Sequence, residues 1–382
     1  MTPRDPEESH RTAGSLELFF DLVFVVAVSV ASANLHHLEA EEHIVAGVGA
    51  YLLVMFAVWW AWMNFTWFAT SFDTDDWLYR VTTIIQMAGA LVMAAGAAPA
   101  MLEGDFTVVI LGYVVMRLAM VAQWLRAAKS APELRSTALR YAVGITALQI
   151  LWVLQLRLPE SLGLISVLVL IVAEVSIPIL AERRHGTPWH RHHITERYGL
   201  FTLILLGETI LASTNAIIDA IAHSEQLPPL LLLSACGLIL AAGMWWTYFW
   251  RPMHSQIADL RSTLIFGYGH YVIFAAAGAF SAGVEVAIDY DTHATELSGV
   301  VAAATTTVPV ALFVLGIWAL SLRRNLPTGA NVGVVGLAVA IGLSALLPFT
   351  LVIAALLMIT LVALLEVVKQ RDRLMTTSVA PA

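Results

Sequence analysis

Charged residues are scarce in this chain: they make up 13% of its 382 residues, against about a quarter in an ordinary soluble protein. Hydrophobic residues make up 59%, and the mean hydropathy is +0.79. A soluble core cannot absorb that much apolar surface, whereas a bilayer can. The scarcity of charge therefore excludes an ordinary soluble protein and predicts an all-α polytopic membrane protein.

Cysteine is almost absent. The single Cys236 excludes an internal disulfide and a cysteine-based metal cage. The chain also has no P-loop, GxSxG, HExxH or dinucleotide fingerprint, and no basic patch that would favour nucleic acid. Its first 14 residues lack the basic start of a secretory signal, so we expect the first apolar run to be a retained helix.

Histidines form two groups, but neither has the fixed spacing of a metal motif. One group lies early in the chain and the other at its middle: His36, His37 and His43, then His185, His190, His192 and His193. Loop solvation and helix capping are the favoured interpretations. We therefore predict no metal site and no cofactor.

Apolar runs of about 20 residues, the length that crosses a bilayer as a helix, recur along the chain between short polar breaks. They predict about twelve transmembrane helices, at 16–37, 45–70, 78–99, 106–128, 138–156, 162–182, 198–221, 228–250, 262–283, 297–322, 331–347 and 349–368. Pro348 alone separates the last two runs, so it either divides two helices or kinks one.

Lys and Arg concentrate in alternate loops, which hold 18 of the chain's 20. Arg157 lies in an opposite loop, and Arg117 lies inside a predicted helix. By the positive-inside rule, this distribution predicts that both termini are cytoplasmic. We expect a multi-pass protein of the inner (cytoplasmic) membrane.

The two halves of the sequence resemble each other. A shift of 186 residues lays Trp59-Trp60 on Trp245-Trp246, and a shift of 192 lays Glu174 on Glu366. Six helices per half is an even number, so the sequence predicts two parallel six-helix repeats. The expected organisation is a cytoplasmic tail (1–15), a first repeat (16–184), a cytoplasmic linker (185–196), a second repeat (197–370) and a cytoplasmic tail (371–382).

The first apolar run, Ser15 to Leu35, carries Glu17 and Asp21. A carboxylate that faces lipid costs several kcal/mol, so both side chains must face protein or water. They are four residues apart and therefore share one face of a helix. In the two opening helices an Arg precedes the acid: Arg11 before Asp21, and Arg197 before Glu208. This spacing predicts the Arg at the interface and the acid deeper in the membrane.

Several segments resemble signatures of the bacterial low temperature requirement A family. They are LELFFDLVFVVAVS in the first run, HITERYGLFTLILLGETIL from His193 to Leu211, WWTYFW from Trp245 to Trp250, His270, and SAGVE ending at Glu285. The resemblance implies a multi-spanning bacterial membrane protein linked to growth in the cold. It implies no established biochemical activity.

Arg117 lies about eleven residues into its run and should sit near the membrane midplane, where it needs an anion. The candidates are Glu208, Asp21 and Glu174. Glu208 is the strongest functional candidate, because Gly207 beside it would let a neighbouring helix approach. His270 is favoured as a satisfied hydrogen-bonding group and is otherwise the natural proton switch.

These features predict a transporter or channel for a small solute or ion, with protons or cations as cargo or coupling species. The residues expected to serve transport are Glu17, Asp21, Arg117, Glu174, Glu208 and His270, and none is assigned a catalytic role. The alternatives are a membrane-embedded enzyme or lipid-handling protein that uses Asp21, Glu208 and His270, and a non-catalytic assembly protein. Expected partners are the lipid bilayer and a small solute or ion, and a homo-oligomer is compatible with the sequence.

Overall fold

A computed structural model describes residues 1–5, 8, 12–223 and 227–377 of the chain. This part folds as twelve α-helices with short connections, and a pair of two-residue strands, β1 (Thr2–Pro3) and β2 (Phe72–Asp73), joins antiparallel. The helices are α1 (Ser15–Ala40), α2 (Ile44–Ser71), α3 (Trp77–Ala95), α4 (Thr107–Ser130), α5 (Arg135–Gln155), α6 (Glu160–Glu182), α7 (Arg191–His223), α8 (Leu227–Phe249), α9 (Leu260–Asp291), α10 (Gly299–Leu320), α11 (Thr328–Leu343) and α12 (Thr350–Thr377). The predicted all-α fold is confirmed.

Eleven of the helices in the described part are long and apolar enough to cross a membrane. The helix outside this set is α7, whose first two turns carry several charged and polar residues. The candidate spans expose large apolar side chains: on α6, Leu164, Ile165 and Val172 are each more than 60% exposed. A protein in water would bury such a surface, so a lipid environment accounts for it.

Local sequence explains several helix ends. Asp76 caps α3 by accepting the backbone N–H of Tyr79 at 2.8 Å, and Asp259 with Ser262 forms a capping box at the start of α9. Pro348 lies in the break between α11 and α12, next to Phe349 with a φ of 55°. It therefore divides two helices, the first of the two alternatives that the sequence left open.

The chain divides into two compact units. Unit 1 comprises Met1–Ala31 and Ala50–Tyr198, and unit 2 comprises Ser32–Gly49 and Gly199–Ala382. The chain passes from one unit to the other within α1, α2 and α7. The parallel two-repeat organisation and its five segments stay predictions.

Close helix contacts in each unit depend on small residues. In unit 1, α3 packs on α4 where a Cβ on Gly89 or Gly112 would collide with the backbone of the other helix. In unit 2, α9 packs on α10 where Gly283 lies against the carbonyl of Thr305. Small residues at helix contacts are typical of membrane bundles, in which packing rather than water exclusion drives association.

Candidate functional site

The first two turns of α1 and of α7 meet inside unit 1 through four ionisable side chains. Glu17 contacts His193 and Asp21 contacts Arg197, and each pair is separated by 176 residues in the chain. Because both helices present residues four apart and the order along each helix is the same, the two segments run parallel along this contact. We call Glu17, Asp21, His193 and Arg197, with Trp62, the Arg197 cluster.

Asp21 is the most tightly held member of the Arg197 cluster. Arg197 donates to it from Nη2 at 2.6 Å and from Nε at 3.1 Å, and Trp62 of α2 donates from Nε1 at 2.7 Å. Asp21 and Arg197 are both 0% exposed. Bidentate pairing of this kind fixes the geometry of both groups and makes a buried carboxylate tolerable.

Glu17 occupies the outer edge of the same cluster. Its Oε2 accepts the backbone N–H of Gly14 at 2.7 Å and lies 3.1 Å from Nε2 of His193, while Oε1 lies 3.3 Å from Nη1 of Arg197. The contact with Gly14 places the carboxylate at the amino-terminal end of α1, where the helix dipole favours negative charge. Glu17 keeps 9% of its side chain exposed, so it is the less enclosed of the two acids.

The Arg197 cluster contains two carboxylates, one guanidinium and one imidazole. The guanidinium contacts both acids, with Nη2 2.6 Å from Oδ1 of Asp21 and Nη1 3.3 Å from Oε1 of Glu17. Nε2 of His193 lies 3.1 Å from Oε2 of Glu17, a distance at which the imidazole and the carboxyl group share one proton in a hydrogen bond. The contact between Glu17 and His193 is therefore the part of the cluster at which a proton can be exchanged.

A second buried ion pair, also in unit 1, joins α4 to α6. Nη2 of Arg117 donates to Glu174 at 2.9 Å, and both side chains are at most 1% exposed. Trp60 donates to the same carboxylate at 3.0 Å, Gln149 at 3.1 Å and Trp152 at 3.2 Å. We call these five residues the Arg117 cluster.

Each oxygen of Glu174 in the Arg117 cluster accepts two N–H groups, which is about the full capacity of a carboxylate in such a site. One cation faces one anion, so the cluster is neutral as it stands. Protonating Glu174 would give one of its oxygens an O–H, which would then face N–H groups that also donate. The geometry is that of a fixed structural charge pair.

The sequence model of one known family, described as bacterial low temperature requirement A protein, matches residues 12–368, which contain both clusters. The chain belongs to this family. A protein of Rhizobium meliloti (strain 1021) that is described as uncharacterized is 28% identical over 296 residues, which cover 71% of this chain and 70% of that protein. The resemblance seen in the sequence is confirmed, and the chain is a bacterial polytopic membrane protein.

For this family member, the structure decides which acid meets Arg117. Of the three candidates, Glu174 is in contact, whereas Asp21 is engaged by Arg197. Glu208 lies on the part of α7 that belongs to unit 2 and is half-buried. The argument for it from Gly207 is wrong, because no described atom lies within 4 Å of a Cβ built on that glycine.

The side chain of Arg197 is enclosed by protein, and its expected position at the membrane interface stays a prediction. The second turn of α7 packs on α1 and α2, and the guanidinium lies 6.0 Å from the Phe65 ring. Arg11, which precedes Asp21 by ten positions in the predicted pattern, lies outside the described residues. Asp21 is paired with Arg197 of α7.

His270 lies on α9 in unit 2 and is 0% exposed. Its Nδ1 is 2.7 Å from the carbonyl oxygen of Phe266, which can only accept, so Nδ1 carries a hydrogen. Nε2 is 3.0 Å from the hydroxyl of Tyr248, which can donate to it. A neutral imidazole satisfies both contacts, in agreement with the favoured interpretation of His270 as a satisfied hydrogen-bonding group.

Sequence reasoning missed His193 and the three tryptophans, Trp60, Trp62 and Trp152, that donate to the buried acids. The sequence pattern places His193 among the loop histidines, but it lies within α7 and is 0% exposed. A usable signal was present: His193 and Arg197 are four residues apart, as are Glu17 and Asp21. No group of three or more His, Cys, Asp or Glu that could hold a metal ion is found among the described residues.

Proposed function

We propose that this protein is a transporter or channel for an ion or small solute in the bacterial inner membrane, and that the Arg197 cluster takes up and releases a proton during its cycle. The observation that carries the proposal is the buried contact of Glu17 with the titratable imidazole of His193 at 3.1 Å, beside the ion pair of Asp21 with Arg197. Intramembrane ionisable groups commonly mark proton or ion pathways.

Within the cluster, Glu17 and His193 are the exchangeable members. Asp21 accepts three N–H groups, two of them from Arg197, and would lose this pairing if it were protonated. The hydrogen bond between Glu17 and His193 contains a single proton, which either group can hold. An unperturbed imidazole titrates in the physiological range. A cation that entered the cluster would compete for the same carboxylate.

The proposed orientation places both termini in the cytoplasm. Its support is the sequence pattern, in which 18 of 20 Lys and Arg residues lie in or beside alternate breaks between the apolar runs. The parallel contact between the starts of α1 and α7 is compatible with it, because six crossings, by α1 to α6, would return the chain to the same side.

The proposal includes a parallel duplication of six helices. In unit 1, Trp60 of α2 donates to Glu174 of α6 at 3.0 Å. In unit 2, Trp246 of α8 donates to Glu366 of α12, also at 3.0 Å. These are the residues that the shifts of 186 and 192 lay on one another, so the same hydrogen bond recurs at matching positions. This recurrence supports a common six-helix plan.

The test is a flux assay on purified protein in liposomes that contain a pH-sensitive dye, with proton, potassium and sodium gradients applied in turn. Glu17→Gln and His193→Gln should give folded, monodisperse protein whose flux loses its dependence on pH. Glu366→Gln is the matched control, because that carboxylate lies in unit 2 with 31% of its side chain exposed. Flux with an unchanged pH profile in both cluster variants would remove the cluster from the mechanism.

A second candidate function, lipid handling, is favoured by one observation. Unit 1 contains a cavity of about 430 Å³ with walls that include Leu53, Phe56 and Val167, and with Tyr113 and Trp152 among its lining residues. A largely apolar cavity of this size would accept a lipid chain. Exchange of fluorescent lipid between vesicles, with no ion flux in the same preparation, would favour this candidate over transport.

A further inference from the structure

One histidine of unit 2 stands between two carboxylates of another helix. His36, near the end of α1, has Nδ1 at 3.0 Å from Oε2 of Glu285 and Nε2 at 2.7 Å from Oδ2 of Asp289, both on α9. Between a quarter and a third of each side chain is exposed, so protons can reach the site from solvent. Glu285 and Asp289 are one helical turn apart, which lets a single imidazole span them.

The two contacts require more hydrogens than a neutral imidazole has. A neutral ring carries one N–H, so its other nitrogen would present a lone pair to a carboxylate oxygen. Both contacts become hydrogen bonds when the ring is protonated or when one of the carboxyl groups holds the proton. We propose that His36, Glu285 and Asp289 form a proton-binding latch, which fastens the turn between α1 and α2 to α9 while the proton is held.

A third carboxyl group near His36 adds to the negative charge that a proton on the latch would offset. Glu39, one turn along α1, is 4% exposed, and its Oε2 has no hydrogen-bond partner among the described atoms. It interacts electrostatically with His36. Three carboxyl groups thus surround the ring. Farther out, His37 contacts Glu41 on an exposed face of α1, and Asp291 interacts with His293.

The contacts beside the latch are one hydrogen bond and a small apolar cluster. The hydroxyl of Thr295 donates to the carbonyl of Ala40 at 2.6 Å, and Leu297 forms a small apolar cluster with Val286 and Ala302, against which Ile44 packs. Both connections include a non-glycine residue in the left-handed region, Glu42 at φ 67° and His293 at φ 60°. Such residues are strained, so their conformations depend on surrounding contacts.

The direction of the pH effect follows from the geometry. A proton held more tightly in the closed latch than in the open one stabilises the closed state at low and neutral pH, and this stabilisation disappears as the pH rises. Loss of the proton leaves a lone pair of the ring facing a carboxylate and three carboxylates close together. We expect the turn at 40–44 and the connection at 292–298 to loosen at alkaline pH.

Hydrogen–deuterium exchange of the full-length protein in detergent tests the latch, with rates corrected for the intrinsic effect of pH. In the wild type, 40–44 and 292–298 should exchange about tenfold faster at pH 9 than at pH 6, the size expected for one charge-assisted hydrogen bond. His36→Gln should exchange fast at both values. His37→Gln, the matched control on the exposed face, should behave as wild type.

Asp289→Asn makes the test decisive, because a neutral His36 can donate to Glu285 and accept from the asparagine amide. This variant should stay closed at both pH values. The proposal is overturned if Asp289→Asn shows the same pH dependence as the wild type, or if His36→Gln keeps full protection at pH 6.

Discussion

The two buried charge clusters of unit 1 differ in the groups that meet the carboxylates. In the Arg117 cluster one guanidinium faces one carboxylate, whose two oxygens accept four N–H groups. In the Arg197 cluster one guanidinium contacts two carboxylates, and the imidazole of His193 contacts one of them. Both clusters are buried to a similar degree, so burial does not distinguish them. The titratable imidazole does, and it separates a fixed ion pair from a site that can exchange a proton.

The largest loss of stability is expected when the cation is removed from the Arg117 cluster. Arg117→Leu leaves Glu174 buried with neutral donors, which should lower the free energy of unfolding by about 3–5 kcal/mol. Thermal unfolding monitored by fluorescence-detected size exclusion measures the loss. Arg117→Leu combined with Glu174→Gln should recover most of it, since no charge then remains. Equal stability of the single and double variants would show that the pair is not electrostatically coupled.

The effect of losing one acid from the Arg197 cluster should depend on which acid is removed. Asp21→Asn takes away the bidentate partner of Arg197 and should cost about 3 kcal/mol of unfolding free energy. Glu17→Gln leaves that pair intact and keeps an oxygen that can accept the N–H of Gly14, so we expect a cost of about 1 kcal/mol or less. The same unfolding assay compares the two. Similar costs for both would contradict the assignment of Glu17 as the exchangeable acid.

The matching tryptophans of the two units extend the comparison. Trp60→Phe removes a donor from a fully buried carboxylate and should cost about 1.5–3 kcal/mol, the usual range for a hydrogen bond to a charged group. Trp246→Phe should cost less than about 1 kcal/mol, because water can replace a donor at a carboxylate that is 31% exposed. The difference in melting temperature between the two variants measures this contrast. A larger loss in Trp246→Phe would reverse our assignment of the buried cluster.

The smallest effect concerns a charge pair outside the membrane-spanning segments. The backbone N–H of Tyr79, and to a lesser extent the guanidinium of Arg126, hold the pKa of Asp76 below its usual 3.8. A depressed folded pKa stabilises the protein above the unfolded value, and this contribution is lost as the pH falls through the folded value. Asp76→Asn keeps the helix cap. It should leave stability at neutral pH nearly unchanged and flatten its decline below about pH 4.

Unfolding of the wild type and Asp76→Asn between about pH 3 and 7 checks this expectation. The two clusters inside unit 1 should not contribute to the difference, because the substitution leaves their charges unchanged. A decline with acid that is the same in both proteins would show that Asp76 plays no part in it.

Much of the fold could be predicted because helix formation in a membrane depends on local composition. Predicted runs such as 16–37 and 45–70 correspond closely to α1 (Ser15–Ala40) and α2 (Ile44–Ser71). The need of Arg117 for a buried anion was also predictable, because a lone guanidinium cannot be accommodated in hydrocarbon. Its partner was not predictable, since three acids met the requirement of depth equally well.

The roles of His193 and His36 were beyond a reading of the sequence. Both lie beside loops and resemble solvated histidines, yet one contacts a carboxylate 176 positions away and the other contacts two on α9. Such contacts depend on which helices are neighbours and on how each is rotated about its axis. Neither property can be read from the period of apolar residues alone.

The sequence by itself determined that the chain enters a membrane, approximately where its helices lie, and that Glu17, Asp21, Arg117 and Glu174 had to face protein or water. These conclusions follow from the cost of exposing polar backbone and charge to lipid, which each segment meets independently of the others. The tertiary structure alone decided that Arg117 pairs with Glu174 and that Arg197 serves both Glu17 and Asp21. An ion pair needs atoms within about 4 Å, and only the packing of helices distant in sequence brings these atoms together.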